Sequence, residues 1–139
     1  MEALSSTYVR KNWSETIEKS IRKQPVFIKR SRDLLILAET IHIEKLLEDY
    51  NLYITIENLS SSSYGAYIGA FDIYEKGNSV KEVADQAVGR LVKTCLEYYE
   101  NLNTNINMPD RAKLYPYVLK VLLVLIKEED PKDILIIKS

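Results

Sequence analysis

The sequence predicts an α+β fold built from small modules, and three observations predict it. Apolar residues recur at helical spacing over 7–23 and 79–100, β-rich runs cluster at 26–38 and 52–75, and the texture changes at Asn51. With 139 residues, 46% apolar and 28% charged, the chain has room for one domain or two small ones and the composition of a folded protein.

From Thr7 to Lys23, Val9, Trp13, Ile17 and Ile21 step by four, which predicts a helix with one apolar stripe. Ser5, Ser6 and Thr7 are each suited to cap its start, and Pro25 stops it. Val26-Phe27-Ile28-Lys29-Arg30 and Leu34-Leu35-Ile36-Leu37-Ala38 flank Ser31-Arg32-Asp33, which predicts a hairpin with a basic tip. Ile43, Leu46, Leu47 and Tyr50 then predict a second helix from Glu39 to Tyr50.

Beyond Asn51, Leu52–Ile56 and Tyr64–Ala70 read as strands on either side of Ser60-Ser61-Ser62-Ser63, and Phe71–Glu75 extends them into a meander. Ser79-Val80-Lys81-Glu82 has capping-box spacing, so a helix is expected to begin at Ser79. Val80, Val83, Ala84, Ala87, Val88, Leu91, Val92, Cys95, Leu96 and Tyr99 line one side of it until the Asn101–Asn107 run. Pro116 opens a short, very apolar helix, Tyr117 to Ile126, and a final piece ends Ile134-Leu135-Ile136-Ile137. The expected divisions are 1–50, 51–107 and a C-terminal helical segment, 108–139.

The charge is divided unevenly. Between Thr7 and Arg32, eight basic residues face only Glu15 and Glu18, whereas from Asp33 onward seventeen acidic residues oppose eleven basic ones. A basic head suits an anionic polymer and an acidic body suits a basic protein; an unevenly solvated surface is the plain alternative.

Chemistry-bearing motifs are scarce. His42 lies between two isoleucines, and Cys95 falls on an apolar helical stripe, where a thiol packs as a small hydrophobe. One cysteine makes neither an internal disulfide nor a zinc cluster, and the four glycines make no phosphate loop. The expectation is a non-enzyme without cofactor or metal. The longest apolar run, Val121 to Ile126, is too short for a membrane span, and with no leader pattern a cytoplasmic location is expected. Tyr64, Tyr67 and Tyr74 are either packing residues or a platform for bases.

Ser6-Thr7-Tyr8-Val9-Arg10-Lys11-Asn12-Trp13-Ser14-Glu15-Thr16-Ile17, then Pro25-Val26-Phe27-Ile28-Lys29-Arg30 and Leu35-Ile36-Leu37-Ala38, resemble the Phd/YefM antitoxins over residues 3–50. The resemblance implies a small α/β unit that dimerises, binds operator DNA through basic residues, and passes on to a C-terminal region that wraps a ribonuclease toxin. Carried over by position, the helix arginine falls on Arg10 and the strand-end arginine on Arg30; Lys11, Asn12, Lys29 and Arg32 complete the implied DNA-binding set. The usual Arg-Gly-Lys-Pro tip is replaced by Ser31-Arg32-Asp33-Leu34. In the second half, Ile54-Thr55-Ile56, Tyr64–Ile68 and Gly77–Ala84 with Leu91 and Leu96 resemble the β-β-β-α core of HicB-type antitoxins.

The function expected is that of an antitoxin, a homodimer that binds operator DNA and neutralises a ribonuclease-type toxin. The alternatives are a scaffold protein that has lost DNA binding, and an RNA-binding module. Residues 116–138 are expected to dock the partner more than to form core, with Tyr117, Leu119, Leu122, Leu123 and Ile126 as the contact residues, because that helix is more apolar than its own domain needs; the alternative is that it closes the sheet of its own domain, since a meander with one helix also needs a cover.

Overall fold

The computed structural model describes residues 1–138. The chain forms two compact units, Met1–Leu46 and a second that begins at Leu47. No helix among the described residues is long and apolar enough to cross a membrane.

In the first unit β1 (Leu4–Ser5) leads into α1 (Ser6–Lys11) and α2 (Trp13–Arg22), followed by β2 (Val26–Arg30), β3 (Asp33–Leu37) and α3 (Thr40–Leu47). The Ser5 side chain caps α1 by accepting from the Tyr8 amide at 3.1 Å. The expected single helix is broken at Asn12, whose ψ of 42° leaves the helical region. Its side-chain nitrogen donates to the Tyr8 carbonyl at 2.9 Å, and its own carbonyl accepts from the Thr16 hydroxyl at 2.7 Å. The sheet runs β1-β2-β3, with β1 parallel to β2 (Leu4 opposite Ile28, Ser5 opposite Lys29) and β2 antiparallel to β3 (Val26 opposite Leu37, Arg30 opposite Asp33). The hairpin turns on Ser31 and Arg32, with Ser31 at φ 53° where a glycine is usual.

The expected apolar stripe is corrected here. Val9 and Val26 are buried, and beside them the chain buries Thr16 and Ser20, while Trp13 and Ile21 are exposed. Burying two hydroxyls costs little because each donates to a carbonyl of its own helix, Thr16 to Asn12 and Ser20 to Ile17, both at 2.7 Å. Of the large side chains on that stripe, Trp13 and Ile21 are left exposed and Ile17 is half-buried.

The second unit begins with the meander β4 (Leu52–Ser60), β5 (Ser63–Ile68) and β6 (Ile73–Gly77), with a 3-10 turn at Gly69–Phe71. Four helices follow: α4 (Val80–Glu100), α5 (Leu102–Ile106), α6 (Pro109–Ala112) and α7 (Tyr115–Ile126). A 3-10 turn, Pro131–Ile134, then delivers β7 (Leu135–Lys138). The sheet order is β6-β5-β4-β7, and β7 lies parallel to β4 with Leu52 opposite Leu135.

Ser79 caps α4 as its sequence predicts, accepting from the Glu82 amide at 3.1 Å, and the Glu82 carboxylate reaches back to the Asn78 amide at 2.8 Å. One face of the sheet supplies Leu52, Ile54, Ala66, Ile68 and Ile73 to the core; α4 supplies Val83, Ala87, Leu91, Cys95 and Tyr98, and α7 supplies Val118, Val121 and Leu122. Each large side chain so buried is worth about 1.5–3 kcal/mol. The inner face of α4 therefore carries Tyr98, whereas Val80, Leu96 and Tyr99 of the expected stripe are exposed.

The C-terminal division at 108 is corrected as well. Residues 108–138 share the core of residues 52–98 and close the same sheet, so the segment is neither wholly helical nor a detachable arm. The sequence pattern misleads because a four-residue apolar strand, Leu135–Lys138, is too short to show a period.

Candidate functional site

The basic residues expected to meet DNA all lie in the first unit. Arg10 and Lys11 form the last turn of α1, Lys29 and Arg30 end β2, and Arg32 sits in the turn. All five are exposed. Because Ser5 lies opposite Lys29, the helix that carries Arg10 and Lys11 starts beside the basic end of the hairpin. Arg30 approaches Asp33 at 4.0 Å, with both side chains more than 70% exposed, a pairing too loose and too wet to neutralise it. Asn12 differs from the others: its amide is engaged with Tyr8, and its visible work is to end α1.

The same unit exposes large apolar side chains. Leu34, Leu35 and Ile36 of β3 are 67%, 51% and 55% exposed, on both faces of an edge strand, and Trp13 and Ile21 add to them from α2. A bare apolar edge of this kind is unusual in a protein that works alone. Its signal in the sequence is the unbroken run Leu34-Leu35-Ile36-Leu37, which lacks the alternation of a strand with one wet face.

In the second unit the residues expected to bind a partner divide. Leu119, Leu122, Leu123 and Ile126 line a groove of about 400 Å³ together with Leu125 and with Leu96 and Tyr99 of α4. Tyr117 lies elsewhere on α7, its ring edge-on to Tyr50 at 5.6 Å and to Phe71 at 6.5 Å. Leu122 is shared with the core, whereas Ile126 is 79% exposed. The part played by Leu96 and Tyr99 is invisible in a periodicity that reads them as core.

The outer face of the sheet carries Tyr53, Tyr67 and Tyr74, each about two-fifths exposed. Tyr67 and Tyr74 stand opposite each other on β5 and β6. The Tyr67 hydroxyl donates to Asp72 at 3.2 Å, a bond that raises its pKa above the ordinary value. The Tyr74 hydroxyl donates to Glu57 at 3.2 Å; desolvation, then that carboxylate, raises its pKa too. Cys95 is fully buried, and desolvation pushes its thiol up to about 12, far from a nucleophile.

A family model described as "Antitoxin of toxin-antitoxin, RelE / RelB, TA system" matches residues 1–136. The chain belongs to this PHD-like antitoxin family. A crystal structure of the antitoxin part of a proposed toxin/antitoxin system from Syntrophomonas wolfei subsp. wolfei superposes on the antitoxin with a TM-score of 0.82. It is 29% identical, over 99% of each chain. No curated protein matches the antitoxin. The family match spans both units, so the surfaces of each belong to one antitoxin architecture.

Proposed function

We propose that the antitoxin binds operator DNA as a homodimer and neutralises a ribonuclease-type toxin, acting by binding and not by catalysis. The observation that carries the DNA-binding reading is the first unit's pairing of a bare apolar edge, Leu34 to Ile36, with the exposed cations Arg10, Lys11, Lys29, Arg30 and Arg32. Joining two copies across a two-fold axis covers the apolar surface and doubles the basic one, which suits a polyanion with two-fold related half-sites.

The test is salt-dependent binding to the duplex upstream of the gene. The logarithm of affinity should fall steeply with the logarithm of salt, and Arg10→Ala or Arg30→Ala should each flatten the slope by about one unit. Unchanged affinity and slope in folded variants would overturn the assignment of those two residues. Neutralisation is tested separately: the antitoxin should relieve the growth arrest caused by the product of the neighbouring reading frame, and no relief would overturn that half of the reading.

The RNA-binding alternative has less support. The tyrosine face sets Glu57 and Asp72 beside its rings, and those carboxylates oppose a phosphate backbone.

A further inference from the structure

The groove between α4 and α7 has a wall from each helix. Leu96 and Tyr99 form one, and Leu119, Leu122, Leu123 and Ile126 form the other. On α7 the last four are spaced at i, i+3, i+4 and i+7, a stripe adjacent to the one that faces the core through Val118 and Val121. Leu122 of that stripe is shared with the core, Leu119 and Leu123 are half-buried and Ile126 is exposed, so the unit covers this second stripe only in part. Ile126 at 79%, Tyr99 at 57% and Leu96 at 45% exposure give the groove open apolar walls. Gly89, two turns before Leu96, presents an exposed helix surface on which an added Cβ would meet nothing within 4 Å.

Charge around the groove is mostly of one sign. Glu100 lies one turn beyond Leu96, and Glu128, Glu129 and Asp130 follow Ile126 after one intervening cation, Lys127, with Lys93 as the other cation nearby in sequence. Three of those carboxylates sit just past the C-terminus of α7, where the helix dipole is already negative. Glu128 also holds φ 59°, a left-handed conformation that favours glycine. Asp130 caps the turn at Pro131–Ile134 through the Lys132 amide, which leaves Glu128 and Glu129 as carboxylates at a helix end that disfavours negative charge, a cost that a cationic neighbour lowers.

We infer that the α4–α7 groove receives an amphipathic helix with basic flanks, supplied by the toxin; the identity of that supplier rests on the antitoxin reading above. The apolar stripe of the incoming helix lies between Leu96 and Ile126, and its lysines or arginines meet Glu100 and Glu128–Asp130. This is helix-in-groove recognition, with apolar anchors giving affinity and the acidic ends fixing direction and choice of partner.

The probe is a synthetic helical peptide of about five turns, with leucine on one stripe and lysine elsewhere, beside a counterpart in which glutamate replaces lysine. Anisotropy should show the full-length antitoxin binding the lysine peptide at least about tenfold more tightly than the glutamate one. Ile126→Asp and Leu96→Asp should each weaken lysine-peptide binding by about tenfold or more, and Glu128→Lys with Glu129→Lys should narrow the preference for lysine over glutamate. The surface pair Glu128→Lys/Glu129→Lys leaves the core alone, so it decides the matter even if Leu96→Asp fails to fold.

Equal binding of both peptides, or binding indifferent to Ile126→Asp and to the charge reversal, overturns the inference. A fall in oligomer mass on Ile126→Asp also overturns it, by making the groove an interface between copies. Peptide binding is read without the toxin: its failure leaves the neutralisation assay standing, and failure to relieve growth arrest leaves the peptide result standing.

Discussion

The hydroxyl of Tyr98 donates to the backbone carbonyl of Arg111 at 2.6 Å, tying α4 to α6 past the short helix α5. The Arg111 guanidinium lies 5.6 Å from the centre of the Tyr98 ring, and its Nε donates to Asn105 at 2.8 Å. Asn105 closes the loop by donating to the Tyr98 carbonyl at 2.9 Å. Polar groups of three residues, Tyr98, Asn105 and Arg111, thus satisfy one another at the end of α4, which lets the asparagine-rich stretch 101–107 fold back as α5 instead of trailing into solvent.

Tyr98→Phe removes the donor and leaves the Arg111 carbonyl with the Leu114 amide, at 3.0 Å, as its remaining partner. We expect a loss of about 1–2 kcal/mol in denaturant unfolding, with the cooperativity of the transition retained. No change in midpoint would mean that water replaces the hydroxyl at no cost.

The ion pair network at Asp85 gives stability a defined acid dependence. Asp85 accepts from Lys132 of the turn before β7, and from Lys81 at 2.9 Å. Lys132 first, then Lys81, hold its carboxyl below the ordinary aspartate range. A lowered folded pKa means that the contribution is present above the ordinary carboxylate range and is lost as the pH falls through the folded value. Asp85→Asn should therefore flatten the acid limb of a stability profile below about pH 4 and leave the shape near neutrality unchanged. An acid limb identical in both proteins would assign the dependence to other carboxylates.

Two backbone substitutions should stabilise the fold. Gly89 lies inside α4 with open space at its Cβ position, so Gly89→Ala should add about 0.5–1 kcal/mol. At Glu128, whose φ is 59°, the Glu129 amide bonds the Val124 carbonyl and the Glu128 amide bonds that of Leu125, the pattern of a Schellman cap. Glu128→Gly should add a similar amount, about 1 kcal/mol, by removing the strain of a side chain in that region. Thermal unfolding of the two variants and their combination checks both, and additivity is expected for sites on different helices.

Ile36→Asp tests the dimer. It places a charge on the bare face of β3, where Ile36 is 55% exposed, so the isolated fold should tolerate it while association should not. Light scattering should move from twice 16.1 kDa toward 16.1 kDa, and DNA affinity should fall with it. A wild-type protein that is already monomeric at micromolar concentration would defeat the dimer.

The fold was readable where one local rule acts alone. Ser79 and Glu82 mark the start of α4 through a cap that needs no tertiary context, and Val83, Ala87, Leu91 and Cys95 repeat often enough to define a face. It was unreadable where burial goes against residue type. Thr16 and Ser20 go inside because their hydroxyls bond back to their own helix, turning Trp13 and Ile21 outward. For the candidate surfaces, the cations of the first unit were legible as charge. Leu96 and Tyr99 were not, since a groove wall and a core face have the same spacing.

The parallel pairing of β4 with β7 gives the second unit an order of assembly. Leu52 finds Leu135 only after α4 to α7 have carried the chain back across the sheet, whereas β4, β5 and β6 pair through short turns. Closing so long a loop comes late, because its entropy is spent before any strand contact repays it. The meander and α4 should therefore form first, and Leu135–Lys138 should pair last, as a latch. The amides of that latch should exchange with solvent sooner than those of β5, and the antitoxin should spend part of its time open at this one edge while its core stays closed.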